Sequence, residues 1–159
     1  MKKLIIIRGP LGVGKTTISK VLAHNLHLEY LSVDQIIEDN KLIPINTDGI
    51  PVESYLKVNQ IVLDLIKNSE DSFILDGCFY YQEQIDDLKN KFNNNIEIFT
   101  LISSVDKCIE RDSKRSKVYG EDSARFVYSI TTNIKMGYEI DNTNLTIEET
   151  VKKIQELMH

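Results

Sequence analysis

The sequence has little cysteine, no apolar run long enough to cross a bilayer, no excess of positive charge, and no arginine between residues 9 and 110. Each absence excludes something. The two cysteines, Cys78 and Cys108, lack metal-ligand spacing and are too few for a disulfide scaffold. They are expected as reduced thiols of a cytoplasmic protein. The apolar run after Met1-Lys2-Lys3 stops after four residues, too short for a signal-peptide core. No other stretch has the length of a membrane span, so no membrane partner is expected. A net charge of −5 and a pI of about 5.2 repel phosphate backbones and anionic lipid, so nucleic acid is not the default partner either.

What remains is an ordinary soluble composition, 42% hydrophobic and 27% charged. The 159 residues fit a single domain, 1–159, with one sizeable core. Leu4 to Ile7 is a continuous β-branched and apolar run, as in a strand buried on both faces. Ile18, Val21, Leu22 and Leu26 predict a helix over 15–26. Strands are expected at 30–33, 72–75, 96–102 and 138–140, the one at 72–75 closed by Asp76-Gly77. Helices are expected at about 51–66, 82–91, 108–115 and 122–135, and after the capping box of Thr146 and Glu149. Strands alternate with helices throughout. That order predicts an α/β fold of parallel strands with right-handed crossovers and helices on both sheet faces.

The segment Gly9-Pro10-Leu11-Gly12-Val13-Gly14-Lys15-Thr16 fits G-x-x-x-x-G-K-[ST] in full. Gly9, Gly12 and Gly14 let backbone N–H groups, that of Val13 among them, turn inward toward phosphate. The helix that follows, with Thr17 in its first turn, adds a positive dipole end. Lys15 is placed to follow charge on the β and γ oxygens, and the Thr16 hydroxyl suits a Mg²⁺ ligand. The motif sits between a predicted strand and a predicted helix, so a glycine-rich turn with an incidental lysine is the weaker reading. No guanine-reading N-K-x-D and no glycine-rich transporter signature accompanies it.

Two carboxylates fall at predicted strand ends. C-terminal strand ends of a parallel sheet face the crevice that holds the ligand. Asp76 closes Phe73-Ile74-Leu75 in a Walker B arrangement and is expected to organise Mg²⁺. Asp34 is expected to accept or orient the proton of an acceptor hydroxyl. Their bland alternatives are a turn aspartate for Asp76 and a helix N-cap for Asp34. Arg111 and Arg115 stand i, i+4 on one predicted helix, where they can stabilise charge on a transferred phosphoryl group. A solvated helix face paired with Asp106, Glu110 and Asp112 is their alternative. The arginine-free span contains the region expected to bind the acceptor. A phosphorylated acceptor would call for bidentate arginines there, so an acceptor without a phosphate or carboxylate is expected. Tyr55, Phe79 and Tyr80 offer aromatic faces for it, or else belong to the core.

With these residues in view, the chain resembles the nucleoside-monophosphate-kinase-like branch of P-loop kinases. Leu31-Ser32-Val33-Asp34 is similar to the acceptor segment of shikimate kinases, with Ser32 where a first aspartate would stand. Phe73-Ile74-Leu75-Asp76-Gly77 is similar to the Walker B segment of adenylate kinases. Arg111-Asp112-Ser113-Lys114-Arg115 is similar to the lid of polynucleotide kinases. The resemblance implies a three-layer P-loop NTPase fold with a five-stranded parallel sheet of order 2-3-1-4-5. It also implies a short lid at about 111–125, Mg²⁺ and ATP as phosphoryl donor. Asn142 would lie in the adenine-contacting loop, Arg111 would stack on adenine, and Arg125 would close the lid over the acceptor. The expected activity is a small-molecule kinase. A nucleotide or polynucleotide 5′-hydroxyl kinase and a regulatory ATPase are the alternatives.

Overall fold

A computed structural model describes residues 3–47 and 49–159. In chain order the elements are β1 (Leu4–Arg8), α1 (Lys15–Leu26), β2 (Glu29–Ser32), α2 (Val33–Asp39), α3 (Val52–Lys67) and β3 (Phe73–Gly77). They continue with α4 (Gln82–Lys91), β4 (Ile96–Ile102), α5 (Val105–Ser113), α6 (Glu121–Thr132), β5 (Tyr138–Asp141) and α7 (Ile147–Leu157). The strands form one parallel sheet in the order β2-β3-β1-β4-β5. This is the P-loop NTPase arrangement that the sequence pattern and the resemblance anticipate.

Alternation along β1 divides the core. Leu4 and Ile6 face one layer, with Val58 and Val62 of α3 and Ile85 and Leu88 of α4. Ile5 and Ile7 face the other, with Ile18 and Leu22 of α1, Cys108 of α5, and Val151 and Ile154 of α7. A strand covered on both faces needs no polar side, which is why these four positions are all apolar. Among the described residues no helix is long and apolar enough to cross a membrane.

Local signals place most boundaries. The Thr146 hydroxyl accepts from the Glu149 backbone N–H, and the Glu149 carboxylate accepts from the Thr146 backbone N–H, a complete capping box for α7. Ser104 caps α5 by accepting from the Lys107 backbone N–H. Two of the bland alternatives do not hold. Asp76-Gly77 is not a turn but the end of β3, because both neighbouring strands pair it: Ile7 and Ser32 oppose Asp76, and Arg8 opposes Gly77. Asp34 does not cap α2. Ser32 does so through its side chain, at 3.3 Å from the Gln35 backbone nitrogen, which leaves the Asp34 carboxylate free in the first turn. The part of the predicted 41–51 loop that falls on Asp48 lies outside the described residues.

Candidate active site

The phosphate loop runs from the end of β1 to the start of α1, beneath α5. Gly12 has φ of 76°, and a Cβ there would overlap the Cys108 carbonyl oxygen of α5. Only glycine meets both conditions. Asn142, at the end of β5, donates from Nδ2 to the Val13 carbonyl at 2.8 Å. Arg111 Nη1 approaches the same carbonyl at 3.5 Å, and its Nη2 donates to the Asn142 carbonyl at 3.3 Å. Two donors from outside the loop on one of its carbonyls tie the loop to β5 and α5. Lys15 is buried and donates to the Pro10 carbonyl at 2.8 Å.

These elements wall a cavity of about 400 Å³. Its floor is the loop from Leu11 to Thr17 with Ile18. Asp34 and Asp76 form one side, and Arg111 and Arg115 of α5 another. Asn142, Leu145, Thr146, Ile147 and Thr150 form the third. The volume is that of an ordinary small-ligand cleft, and its lining combines apolar, hydroxyl and charged side chains. The sequence reading brought Lys15, Thr16, Thr17, Asp34, Asp76, both arginines and Asn142 to this place. It missed the wall from Leu145 to Thr150. The only sequence signal for that wall is the capping box, which marks where α7 begins and so which residues face the cleft.

Asp76 and Asp34 differ in environment. Asp76 is buried, and burial pushes its carboxyl up from the usual carboxylate range, opposed by Lys15, Tyr30 and Thr16. Asp34 is exposed at the mouth of the cleft. The Tyr30 hydroxyl donates to Asp76 Oδ2 at 2.9 Å, a contact nothing in the sequence pattern announces.

Beyond Asp34 lies a cluster of tyrosines. Tyr55 and Tyr80 share a hydroxyl–hydroxyl hydrogen bond of 2.6 Å, with their rings edge-on at 5.5 Å. Tyr81 closes the group at 5.0 Å from Tyr80, and its hydroxyl donates to the Ile50 carbonyl. Burial raises the Tyr55 and Tyr80 phenols, so both stay neutral, and Asp34 and Cys78 act on both in the same direction. Cys78 is half-buried, and its thiol is pushed up by burial against the pull of Lys15. It is therefore a neutral thiol rather than a nucleophile.

Three expectations about the acceptor side are corrected by packing. Phe79 is 2% exposed and sits in the core against the α3 and α4 layer, so it presents no ring face to a ligand. The Tyr55 ring is also in the core, and its hydroxyl end rather than its face is what reaches the tyrosine cluster. Arg125 pairs with Glu121 at 2.9 Å and Asp106 at 3.8 Å on the outer side of α5 and α6, not among the residues lining the cavity.

The basic stretch divides likewise. Glu110 takes up Lys107 and Lys114 at 3.0 and 2.7 Å, the solvated pairing weighed against function. Arg111 instead spends its donors on loop carbonyls at the cleft. Asp112 is buried, and its Oδ2 accepts from the backbone N–H groups of Tyr119 and Gly120, each at 3.1 Å. That carboxylate fastens the segment after α5 back onto the helix. Tyr119 stands there with Arg115 and Lys117 over its ring, at 5.4 and 5.7 Å, and its phenol responds to Asp34. Arg8, to which the sequence reading gave no role, is fully buried at the base of the loop.

A parallel 2-3-1-4-5 sheet with this loop, two carboxylates and two arginines on one cleft defines a P-loop kinase of the nucleoside-monophosphate-kinase-like group. More particularly, the chain belongs to the family described as AAA domain, which matches residues 5–127. A shikimate kinase from Shewanella woodyi is 27% identical over 146 residues, covering 87% of this chain and 82% of that one. A shikimate kinase from Vibrio vulnificus is 47% identical, but over 38 residues only, 24% of this chain and 22% of that protein's length. Among solved structures, a sugar kinase from Janibacter is similar with a TM-score of 0.75 at 17% identity, covering 98% of this chain and 94% of that one. At that identity the likeness is one of fold.

Proposed function

We propose that the protein is an ATP-dependent kinase that transfers the γ-phosphate to a hydroxyl of a small acceptor without a phosphate of its own. The observation that carries this reading is the common cleft. The phosphate loop, Asp34, Asp76, Arg111 and Arg115 line one cavity, while the side beyond Asp34 holds neutral phenols and a neutral thiol. A switch that only binds nucleotide has no use for an exposed carboxylate at the mouth of the cleft.

Triphosphate oxygens would lie on the inward N–H groups of the loop and the N-terminus of α1, with Lys15 exchanging the Pro10 carbonyl for phosphate. Adenine would occupy the end formed by Arg111, Asn142 and the start of α7. The donor set of Thr16 hydroxyl and Asp76 carboxylate is all oxygen, with Lys15 and Thr16 both acting on the carboxylate, and it fits Mg²⁺. When bound, Mg²⁺ neutralises phosphate charge. Asp34 would accept the acceptor's hydroxyl hydrogen and aim its oxygen at the γ-phosphorus. Arg115, and the segment 111–125 as a lid, would gather charge in the transition state and exclude water.

The acceptor would meet Asp34, the Tyr55–Tyr80 hydroxyl pair and Cys78, none of them cationic. Sugars, named for the structural neighbour, head the panel of neutral polyols to test, and shikimate, named for the relatives, is the anionic comparison, since its carboxylate finds no cation among these groups. The net charge of −5 opposes a polynucleotide acceptor. The test is ADP release across such a panel for the parent chain, Lys15→Ala and Asp34→Asn. Lys15→Ala is expected to abolish transfer while the fold is kept. Asp34→Asn is expected to bind ATP normally and to lose acceptor-dependent turnover by about 10²-fold or more. Full activity in Lys15→Ala would remove its assigned role. If no acceptor raises turnover and Asp34→Asn is unaffected, the kinase reading fails.

A further inference from the structure

We infer that Tyr30 is a positioning residue for the site's metal-organising carboxylate, acting through its hydroxyl on Asp76. The inference rests on the proposed role of Asp76 and extends it to a residue outside every motif of the chain.

The sheet register makes the contact. Tyr30 opposes Ile74 and Ser32 opposes Asp76 across β2 and β3, so Tyr30 and Asp76 lie on the same face, two positions apart along the pairing. A diagonal neighbour at that distance is within reach of a tyrosine. Its hydroxyl arrives at 2.9 Å from Asp76 Oδ2, with the Thr16 and Ser32 hydroxyls also acting on it. The ring is held on its other side by Lys20, whose ammonium stands 5.5 Å from the ring centroid. The phenol is thus held at its tip and over its face, and it fixes one oxygen of the carboxylate.

A carboxylate with one oxygen held by a neutral donor keeps the other aimed in a constant direction. That is how partners behind a ligand raise the affinity of a metal site without touching the metal. The role needs a hydroxyl at the end of an aromatic lever; a serine or threonine on β2 would not span the diagonal. Tyr30 also lies on the wall of a second groove, on the far side of the same residues, with Thr16, Lys20, Ser32 and Gln35. Asp76 is not among the residues that line that groove.

The test is the affinity of Mn²⁺, read by electron paramagnetic resonance, for the ADP complex of the parent chain, Tyr30→Phe and Asp76→Asn. ADP binding in excess chelator is measured beside it. Tyr30→Phe is expected to weaken Mn²⁺ binding by about tenfold, the usual size of such a second-layer effect, with chelated ADP binding unchanged. Thermal melting reports the fold of each variant. Tyr30→Leu supplies a second side chain without the hydroxyl, so that packing differences can be told from loss of the hydrogen bond. Mn²⁺ affinity unchanged in Tyr30→Phe but weakened in Asp76→Asn would overturn the role of Tyr30 alone. Affinity unchanged in both would overturn the role of Asp76. A parallel fall in chelated ADP binding would mark disruption of the loop and would also overturn the positioning role.

Discussion

Replacing Arg8 with methionine tests how a buried cation is held without a counter-ion. The guanidinium is fully buried at the end of β1. It donates to the Ile134 carbonyl at 2.8 Å, the Thr131 carbonyl at 2.9 Å, the Phe79 carbonyl at 3.2 Å and the Thr100 hydroxyl at 3.2 Å. Its Nε has no partner, and no carboxylate forms an ion pair with it among the described residues. Burial accordingly lowers its affinity for the proton, offset in part by Cys78 and Glu139. Three of the four acceptors belong to the end of α6 or the turn after β3, so one side chain ties both to the strand that carries the phosphate loop.

Two effects oppose each other in Arg8→Met. Removing the cation returns a desolvation cost of several kcal/mol. Losing the donors orphans some acceptors but not all. Thr131 keeps the Ile134 backbone N–H, and Thr100 still donates to the Met136 carbonyl. Four charge-assisted bonds of about 1.5–3 kcal/mol each, about 6–12 kcal/mol together, disappear, and the Phe79 and Ile134 carbonyls are left without them. The bonds outweigh the desolvation, and a net destabilisation of about 2–4 kcal/mol is expected. At about 2–4 °C per kcal/mol for a chain of this size, the melting temperature falls by about 4–16 °C. Urea titration with an unchanged m-value is the assay. Arg8→Lys is expected to recover less than half, because one ammonium cannot span acceptors on two separate elements. A methionine variant as stable as the parent would refute the reasoning. Desolvation would then dominate, and Arg8 would be a cost borne for some other purpose.

Two further perturbations follow from single contacts. Gly12→Ala forces a side chain into a φ of 76° and against the Cys108 carbonyl, so ATP affinity is expected to fall at least tenfold with a loss of about 2 kcal/mol or more in stability; retention of both would show the loop able to shift away from α5. Asp112→Ala removes the carboxylate that accepts from the Tyr119 and Gly120 N–H groups, and trypsin cleavage after Lys114, Arg115 or Lys117 is expected to quicken about tenfold or more, since about 1.4 kcal/mol of local stability suffices. Unchanged cleavage would mean that the segment is held by something else.

The phosphate loop was legible because its chemistry is contiguous. Eight adjacent residues specify the turn, the inward N–H groups and the lysine, and the strand before them and the helix after them are announced by their own periodicities. The α7 boundary was legible for the same reason, since a capping box is a local device. The residues that hold the site in place were not. Tyr30 meets Asp76 across 46 positions, and Arg8 meets Thr131 across 123. No spacing rule in a single sequence reaches so far. Local propensity was also misleading where pairing overrode it: Asp76-Gly77 has turn composition, yet β1 and β2 on either side extend the strand through it. Phe79 read as a ligand-facing aromatic because its neighbours are tyrosines. Its φ of 51° turns it into the core while Tyr80 stays at the edge.

Pairing also separates the two aspartates, which the sequence presents alike, each after a short apolar run. Asp76 lies inside a strand with neighbours on both sides, so it is buried, and burial favours its neutral form unless cationic and hydroxyl partners oppose it. Lys15, Tyr30 and Thr16 are those partners. A carboxylate so surrounded has little freedom to rotate, which suits holding a cation and disfavours taking up a hydroxyl hydrogen during turnover. Asp34 lies two residues past the cap of the short helix that follows the edge strand, exposed, with the N-cap supplied by Ser32. That exposure is what the role proposed for it, orienting the hydroxyl of an exchanging substrate, requires. The assignment of roles therefore rests on strand order: β2 at the sheet edge leaves Asp34 open, and β3 between β2 and β1 encloses Asp76.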